Sequence, residues 1–213
     1  MNPWKRKEVI GDCTLFLGDC LEVMRGLPPC FKVDAVVTDP PFGVGNFIQQ
    51  TGNKRGPRVE WNEAGPSKEY FEEIKRISKH RVIWGANYFN CFEGKGGFVW
   101  VKNQPMPDFS KAEMASTSWG AKVELFEFSW AGGSAKKETK HPCERPPEIY
   151  EWSIKQIPGN PQVILDTYLG SGSCGVACVR LGLKFMGIEK NPEYFDWACE
   201  RIINAYRQER LFA

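Results

Sequence analysis

The run Val163-Ile164-Leu165-Asp166 leads directly into Thr167-Tyr168-Leu169-Gly170-Ser171-Gly172-Ser173-Cys174-Gly175-Val176-Ala177. A short stretch of buried-type residues ending in an acid, then a glycine turn, then an apolar helical stretch is a strand–turn–helix unit. A strand with no polar alternation belongs in a parallel sheet covered on both faces. The same alternation recurs along the chain and predicts an α/β protein. Strands are expected at Thr14–Gly18, Asp34–Thr38, Arg81–Gly85, Gly97–Lys102, Lys122–Trp130, Gln162–Asp166 and Lys184–Glu189. Helices are expected at Cys20–Leu27, Ser67–Ile77, Pro146–Lys155, Gly172–Leu181 and Pro192–Arg207, with Ser67 as the N-cap of the second.

The length of 213 residues fits one domain, residues 1–213, able to bury a large core unaided. The net charge of +2 gives no global attraction to a polyanion, so any nucleic-acid contact must come from a local basic patch. Eight cysteines occur without a CxxC pair and with only two histidines, so no metal site of ordinary spacing is expected. The start Met1-Asn2-Pro3-Trp4-Lys5-Arg6-Lys7 is polar and opens no apolar signal run. The thiols are therefore read as reduced, in a cytoplasmic protein. No apolar run is long enough to span a membrane.

Glycines at 170 and 172 allow a sharp turn and close approach of the backbone to a ligand, which the following helix greets with its N–H groups. Glu189 ends the next strand, 19 residues after Gly170, where a carboxylate can accept both hydroxyl hydrogens of a ribose. The spacing also matches a dinucleotide fingerprint and, alone, leaves a nicotinamide or flavin oxidoreductase open. Position argues against that reading. Only 24 residues follow Glu189, so most of the sheet must precede the loop.

Upstream, Val33-Asp34-Ala35-Val36-Val37-Thr38 ends in Asp39-Pro40-Pro41-Phe42. Two prolines fix the backbone and remove two N–H donors while leaving carbonyl acceptors. Asp39 adds a charged acceptor and Phe42 a stacking face. This rigid array suits a planar molecule bearing an NH₂ group: Asp39 and the Pro40 carbonyl each accept one N–H, and Phe42 stacks on the ring. The two hydrogen bonds localise a lone pair otherwise delocalised into the ring.

Two stretches read as irregular. Gly43–Gly65 carries Lys54, Arg55 and Arg58, either as a loop that grips phosphates or as a solvated one. Asn103–Ser110 holds two prolines.

Taken together, these motifs resemble the amino-group DNA methyltransferases of the permuted class, in which the catalytic motif precedes the cofactor motif. Leu15-Phe16-Leu17-Gly18-Asp19-Cys20 is similar to the family's strand ending in Gly-Asp-Cys. Asp39-Pro40-Pro41-Phe42 matches its D-P-P-[YF]. Ile83-Trp84-Gly85-Ala86-Asn87-Tyr88-Phe89 resembles a segment of small, phage-type members. His141-Pro142-Cys143-Glu144-Arg145-Pro146 is similar to H-P-x-x-K-P with arginine in place of lysine. Asp166 to Ser173 resembles D-x-F-x-G-S-G with Tyr168 as its aromatic, and Gly187-Ile188-Glu189 resembles the ribose-binding G-I-E.

The resemblance implies a Rossmann-like S-adenosylmethionine-dependent methyltransferase fold. Its sheet would have seven strands, mostly parallel, with Lys122–Trp130 antiparallel and Asp166 and Asp39 on adjacent strands. It implies Asp39, Pro40, Pro41 and Phe42 as catalytic residues. It assigns S-adenosylmethionine to Asp19, Cys20, His141, Arg145, Asp166, Tyr168, Gly170, Ser171, Gly172, Ser173 and Glu189. DNA is the implied partner, with its target flipped out of the duplex. Asp at the first catalytic position favours adenine N6, with cytosine N4 as the alternative.

Pro29-Cys30 and Pro142-Cys143 contain the dipeptide of carbon-5 cytosine enzymes, but neither follows a buried strand beside a cofactor loop. A catalytically silent DNA- or cofactor-binding module is the alternative from another class. About thirty residues, at 103–121 and 131–140, are free for target recognition. That implies a short site or help from a second subunit, and leaves homodimerisation and a restriction endonuclease partner open.

Overall fold

The computed structural model describes residues 2–43, 64–103, 110–130 and 144–212, with side chains through residue 208. Nine strands form one sheet: β1 (Arg6–Ile10), β2 (Cys13–Leu17), β3 (Val33–Thr38), β4 (Ser78–Trp84), β5 (Gly97–Val101), β6 (Ala112–Thr117), β7 (Val123–Glu127), β8 (Val163–Asp166) and β9 (Lys184–Glu189). Their order across the sheet is β1-β2-β9-β8-β3-β4-β6-β5-β7. The helices are α1 (Cys20–Arg25), α2 (Lys68–Ile77), α3 (Ala86–Phe89), α4 (Pro147–Lys155), α5 (Ser173–Arg180) and α6 (Pro192–Phe212).

The centre of the sheet follows the sequence pattern. Strands β2, β9, β8, β3 and β4 are parallel neighbours, and their apolar runs are buried because helices cover both faces. On one face α4, α5 and α6 pack Ile149, Ala177 and Phe195 against Leu15, Val37 and Trp84. On the other, α1 and α2 pack Met24, Ile74 and Ile77 against Phe16, Val36 and Ile188. Ser67 caps α2 as its sequence suggests, accepting from the Tyr70 N–H at 3.3 Å.

Among the described residues the sheet has nine strands, not the expected seven. The additional strands, β1 and β6, are those whose sequences lack an apolar run. The reversed strand is also different from the expected one. Lys122–Trp130 contains β7, which runs parallel to β5 at the sheet edge. Two strands run against the prevailing direction: β1, antiparallel to β2 at the opposite edge, and, inserted within the sheet, β6, antiparallel to both β4 and β5. Strand β6 occupies part of the stretch 103–121, so fewer of those residues are free for target recognition than the sequence suggests. His80 lies inside β4, its ring 5.5 Å from that of Trp119.

Strands β3 and β8 are adjacent and parallel, with Ala35 opposite Ile164 and Val36 opposite Leu165. From β3 the chain crosses through α2 to β4; from β8 it crosses through α5 to β9. The two crossovers lie on opposite faces, so the chain diverges at the C-terminal ends of this pair. Open α/β sheets form their ligand crevice at such a divergence.

Candidate active site

Asp39 follows the last residue of β3, and Asp166 ends β8. Thr38 connects them: its hydroxyl donates to Asp166 Oδ1 at 2.9 Å and lies 3.1 Å from the Thr167 hydroxyl. The Tyr70 phenol, from α2, reaches the same Thr167 hydroxyl at 2.6 Å. The Tyr168 N–H donates to Asp166 Oδ1 at 3.1 Å. Asp166 is 1% exposed. Burial pushes its carboxyl up to about 7, against the opposing pull of the Tyr168 and Thr38 hydrogen bonds.

The glycine loop turns as its sequence requires. Gly170 and Gly172 take φ of +50° and +80°, the left-handed region. A Cβ on Gly172 would sit 2.9 Å from that of Ala198, so α6 packs too closely for any other residue. Glu189 braces the loop from the end of β9: its Oε2 accepts from the Gly170 N–H and its Oε1 from the Asn191 N–H, both at 2.8 Å. Burial raises the Glu189 carboxyl above its ordinary range, while these backbone donors pull it down. Ser171 and Ser173 are 3.2 Å apart, and Arg201 from α6 donates to the Ser171 carbonyl at 2.7 Å and to Ser173 Oγ at 3.1 Å.

Asp19 caps α1, accepting from the Leu21 and Glu22 N–H groups at 3.0 and 3.2 Å. Lys190 stands 3.8 Å from its other oxygen. Cys20 beside it is largely buried, and burial lifts its thiol to about 11, so it presents no thiolate nucleophile at neutral pH.

The catalytic-motif side is aromatic and charged. Phe42 stacks on Tyr88, with ring centroids 4.4 Å apart and an interplanar angle of 12°, and meets Phe89 edge-on at 6.1 Å. Gly85, with φ +76°, lies so close that a Cβ would come 2.2 Å from Phe42 Cε1. Arg145 forks onto Asp39 through Nε and Nη2, the latter 2.6 Å from Asp39 Oδ1. Its Nη1 pairs with Glu113 of β6, which in turn pairs with Lys102.

The resemblance assigns Arg145 to the cofactor; in the structure its side chain pairs with Asp39 and Glu113. Its carbonyl, not its guanidinium, faces the glycine loop, accepting from Ser173 Oγ at 2.7 Å. The structure brings together Asp39, Phe42, Asp166, Tyr168, the glycine loop, Glu189 and Asp19 along one side of the sheet. His141, Lys54, Arg55 and Arg58 lie outside the described residues. Sequence reasoning missed Glu113, Lys102, Thr38 and Tyr70. Gly85 and Tyr88 carried a signal, through the segment noted around Trp84.

Residues 86–200, more than half of the chain, match the N6/N4 family model described as DNA methylase. Type II methyltransferase M2.LlaDCHI of Lactococcus lactis subsp. cremoris is 26% identical over 76% of this chain, which spans 55% of that protein's length. Type II methyltransferase M.HinfI of Haemophilus influenzae is 23% identical over 92% of this chain and 70% of its own. The fold is shared with the M1.HpyAVI–SAM complex, at a TM-score of 0.62, 24% identity and coverage of 89% of this chain and 99% of that one. It is shared also with the PvuII cytosine-N4-specific DNA methyltransferase, at a TM-score of 0.65, 16% identity and coverage of 96% and 95%. The family match takes in Arg145, the glycine loop and Glu189, while Asp19 and Asp39 precede it just beyond the ends of β2 and β3; the chain belongs to the N6/N4 DNA methylase family.

Proposed function

We propose that this protein is an S-adenosylmethionine-dependent DNA methyltransferase that modifies the exocyclic amino group of adenine, N6. The observation that carries this reading is the position of Asp39-Pro40-Pro41-Phe42 at the end of β3, next to the glycine loop that follows the parallel neighbour β8. An amine acceptor and a nucleoside-type loop then face one crevice.

The residues fit the cofactor. Asp19, Asp166 and Glu189 stand at or just beyond the ends of β2, β8 and β9. Their hydrogen-bond donors are backbone N–H groups and one hydroxyl, not a guanidinium. Such a site offers acceptors for ribose hydroxyls and for an adenine amino group, and favours a ligand carrying positive charge. Asp19 with the Cys20 backbone, the Gly170–Ser173 loop, Asp166, Tyr168 and Glu189 would hold it. When bound, S-adenosylmethionine supplies an electrophilic methyl group.

The chain's own part is orientation. Asp39 and the Pro40 carbonyl accept the two N–H groups of the target amine. Arg145 already donates to both Asp39 oxygens, but each carboxylate oxygen has two lone pairs, so acceptor capacity remains. Phe42, held flat by Tyr88, stacks on the flipped base, worth roughly 1–3 kcal/mol. Asp39 is the nearest base for the proton that the methylated nitrogen releases. Holding the reacting groups in one geometry provides much of the acceleration.

Adenine is favoured because an Asp, not a Ser, opens the tetrapeptide. Target recognition would fall to 103–121 outside β6 and to 131–140, which suits a short recognition site or help from a second subunit. No described helix is long and apolar enough to cross a membrane, and the reading puts the protein with DNA in the cytoplasm.

The test is transfer of a labelled methyl group to mixed-sequence DNA, followed by digestion to nucleosides. Label in N6-methyladenine is expected, with Asp39→Ala abolishing transfer while cofactor binding by calorimetry stays largely intact. Label in N4-methylcytosine would move the assignment to the other base. Transfer to no DNA would favour a silent cofactor-binding module.

A further inference from the structure

The pair of Asp39 with Arg145 does not stand in isolation. Asp39 is the end of a row of four alternating charges, Lys102–Glu113–Arg145–Asp39, drawn from the end of β5, from β6, from the lead-in to α4 and from the end of β3. All four side chains are largely buried, between 8% and 18% exposed. Three aromatic rings surround the guanidinium, with centroids of Phe42, Trp84 and Trp100 at 5.8, 5.9 and 5.7 Å from its central carbon. Interactions between charges are strong in such a setting because little water screens them.

An amine acceptor has two requirements that conflict. It must be ionised, which burial opposes. It must also remain basic enough to draw on an N–H, which a tightly forked arginine opposes, since an adjacent guanidinium lowers a carboxyl by roughly 1–3 units. Arg145 meets the first requirement. Glu113 meets the second, because it competes for the same guanidinium at Nη1. Lys102 keeps Glu113 itself ionised and in place, and with Arg145 holds its carboxyl below the ordinary range in spite of burial.

We propose that Glu113 is a positioning residue for methyl transfer: by holding the far end of Arg145, with Lys102 behind it, it sets how tightly Arg145 grips Asp39 and so how strongly Asp39 accepts the target amine. The inference rests on the amino-group methyltransferase reading. The other titratable groups that bear on Asp39 are Tyr150 of α4 and Asp166 of β8, neither of them a cation. The balance is therefore Arg145 and Lys102 on one side and Glu113 on the other. The carboxyl of Asp39 sits above its ordinary range, raised chiefly by burial and further by Glu113, with Arg145 and Lys102 pulling it down.

The signs separate this role from a merely structural one. Glu113→Gln removes a neighbouring negative charge and leaves Arg145 to Asp39 alone, so the Asp39 midpoint falls, by roughly one pH unit. Arg145→Met removes the nearest cation, so the midpoint rises by roughly one unit or more, and Arg145→Lys lies between Met and wild type. Lys102→Met raises it by less. The midpoint is read by carbon-13 NMR of side-chain-labelled aspartate, with the Asp39 signal assigned by its loss in Asp39→Asn. In parallel, Glu113→Gln is expected to lower kcat for methyl transfer by about tenfold or more, with KM for S-adenosylmethionine unchanged.

A Glu113 that only supports the fold would cost thermal stability and activity without moving the midpoint. No shift in either variant, or shifts of the same sign, overturns the proposal. If Glu113→Gln does not fold, Lys102→Met decides, and a midpoint unmoved by it overturns the proposal as well. The NMR titration needs no turnover. Wild-type protein that titrates as expected yet methylates no DNA defeats the functional reading alone. Active protein whose variants leave Asp39 unmoved defeats this inference alone.

Discussion

The Thr38 hydroxyl donates to the Asp166 carboxylate at 2.9 Å, tying the ends of two strands that are 128 residues apart in the chain. The bond couples the residue before Asp39-Pro40-Pro41-Phe42 to the residue that leads into the glycine loop. It also leaves a carboxylate in a place where only neutral donors reach it. A buried acid without a cation is costly to ionise, and the rise of its carboxyl to about 7 expresses that cost.

The pH dependence of stability follows. The native state holds a proton on Asp166 up to about pH 7, whereas the unfolded chain releases it near the ordinary value of 3.8. Between those two values the native state binds more protons, so this group's contribution to stability falls as pH rises through the window and is level outside it. Asp166→Asn keeps an oxygen for Thr38 and the Tyr168 N–H but removes the charge. The variant should gain on wild type by a few kcal/mol across the window, since one unit is about 1.4 kcal/mol. Urea denaturation from about pH 4 to about pH 8 checks this. A stability difference independent of pH would show that Asp166 is not the group responsible.

Gly85 offers a second test, of the stacking face. Its φ of +76° and its 2.2 Å approach to Phe42 Cε1 mean that Gly85→Ala both strains the backbone and displaces the ring from Tyr88. Gly182 has a φ of +65° with nothing within 4 Å, so Gly182→Ala carries the strain alone. Both should lose about 1–2 kcal/mol of stability from the left-handed backbone. Only Gly85→Ala should also lose DNA turnover, by about tenfold or more, as expected where stacking is worth roughly 1–3 kcal/mol. Equal turnover in the two variants, measured by labelled methyl transfer, would remove Phe42 from the substrate face.

How much of this was legible in the sequence depended on how local each feature is. Strands β3, β8 and β9 announce themselves as apolar runs because helices cover them on both faces. The strand β6 reads Ala112-Glu113-Met114-Ala115-Ser116-Thr117, small and polar, and is a strand only because β4 and β5 flank it. The direction of β7 is likewise a property of its pairing with β5, and nothing in its own residues records it. Asp39 and the glycine loop could be read because each carries its chemistry within a few consecutive residues. The row from Lys102 to Asp39 could not, because its members come from four separate segments and meet only after the sheet has formed. Arg145 shows the limit most plainly: nothing in its sequence neighbours records that its side chain turns to Asp39, 106 residues away.

DNA affinity gives the last test. With 28 basic and 26 acidic residues, the chain has no overall charge excess with which to hold a phosphate backbone. Sequence-independent affinity comes mainly from lysine and arginine that displace condensed counterions, so it must be concentrated locally. Lys54, Arg55 and Arg58 fall within five residues that include no acid, in the stretch between the catalytic tetrapeptide and α2. Changing all three to Gln should weaken binding to duplexes of any sequence. It should flatten the slope of log affinity against log salt by about 0.9 for each phosphate that is no longer neutralised. Fluorescence anisotropy with a labelled duplex over a salt series reads both quantities. Binding of S-adenosylmethionine should not change. Weaker binding with the slope intact would mean that the three residues act otherwise than by neutralising phosphates, and an unchanged affinity would place the DNA-binding surface elsewhere.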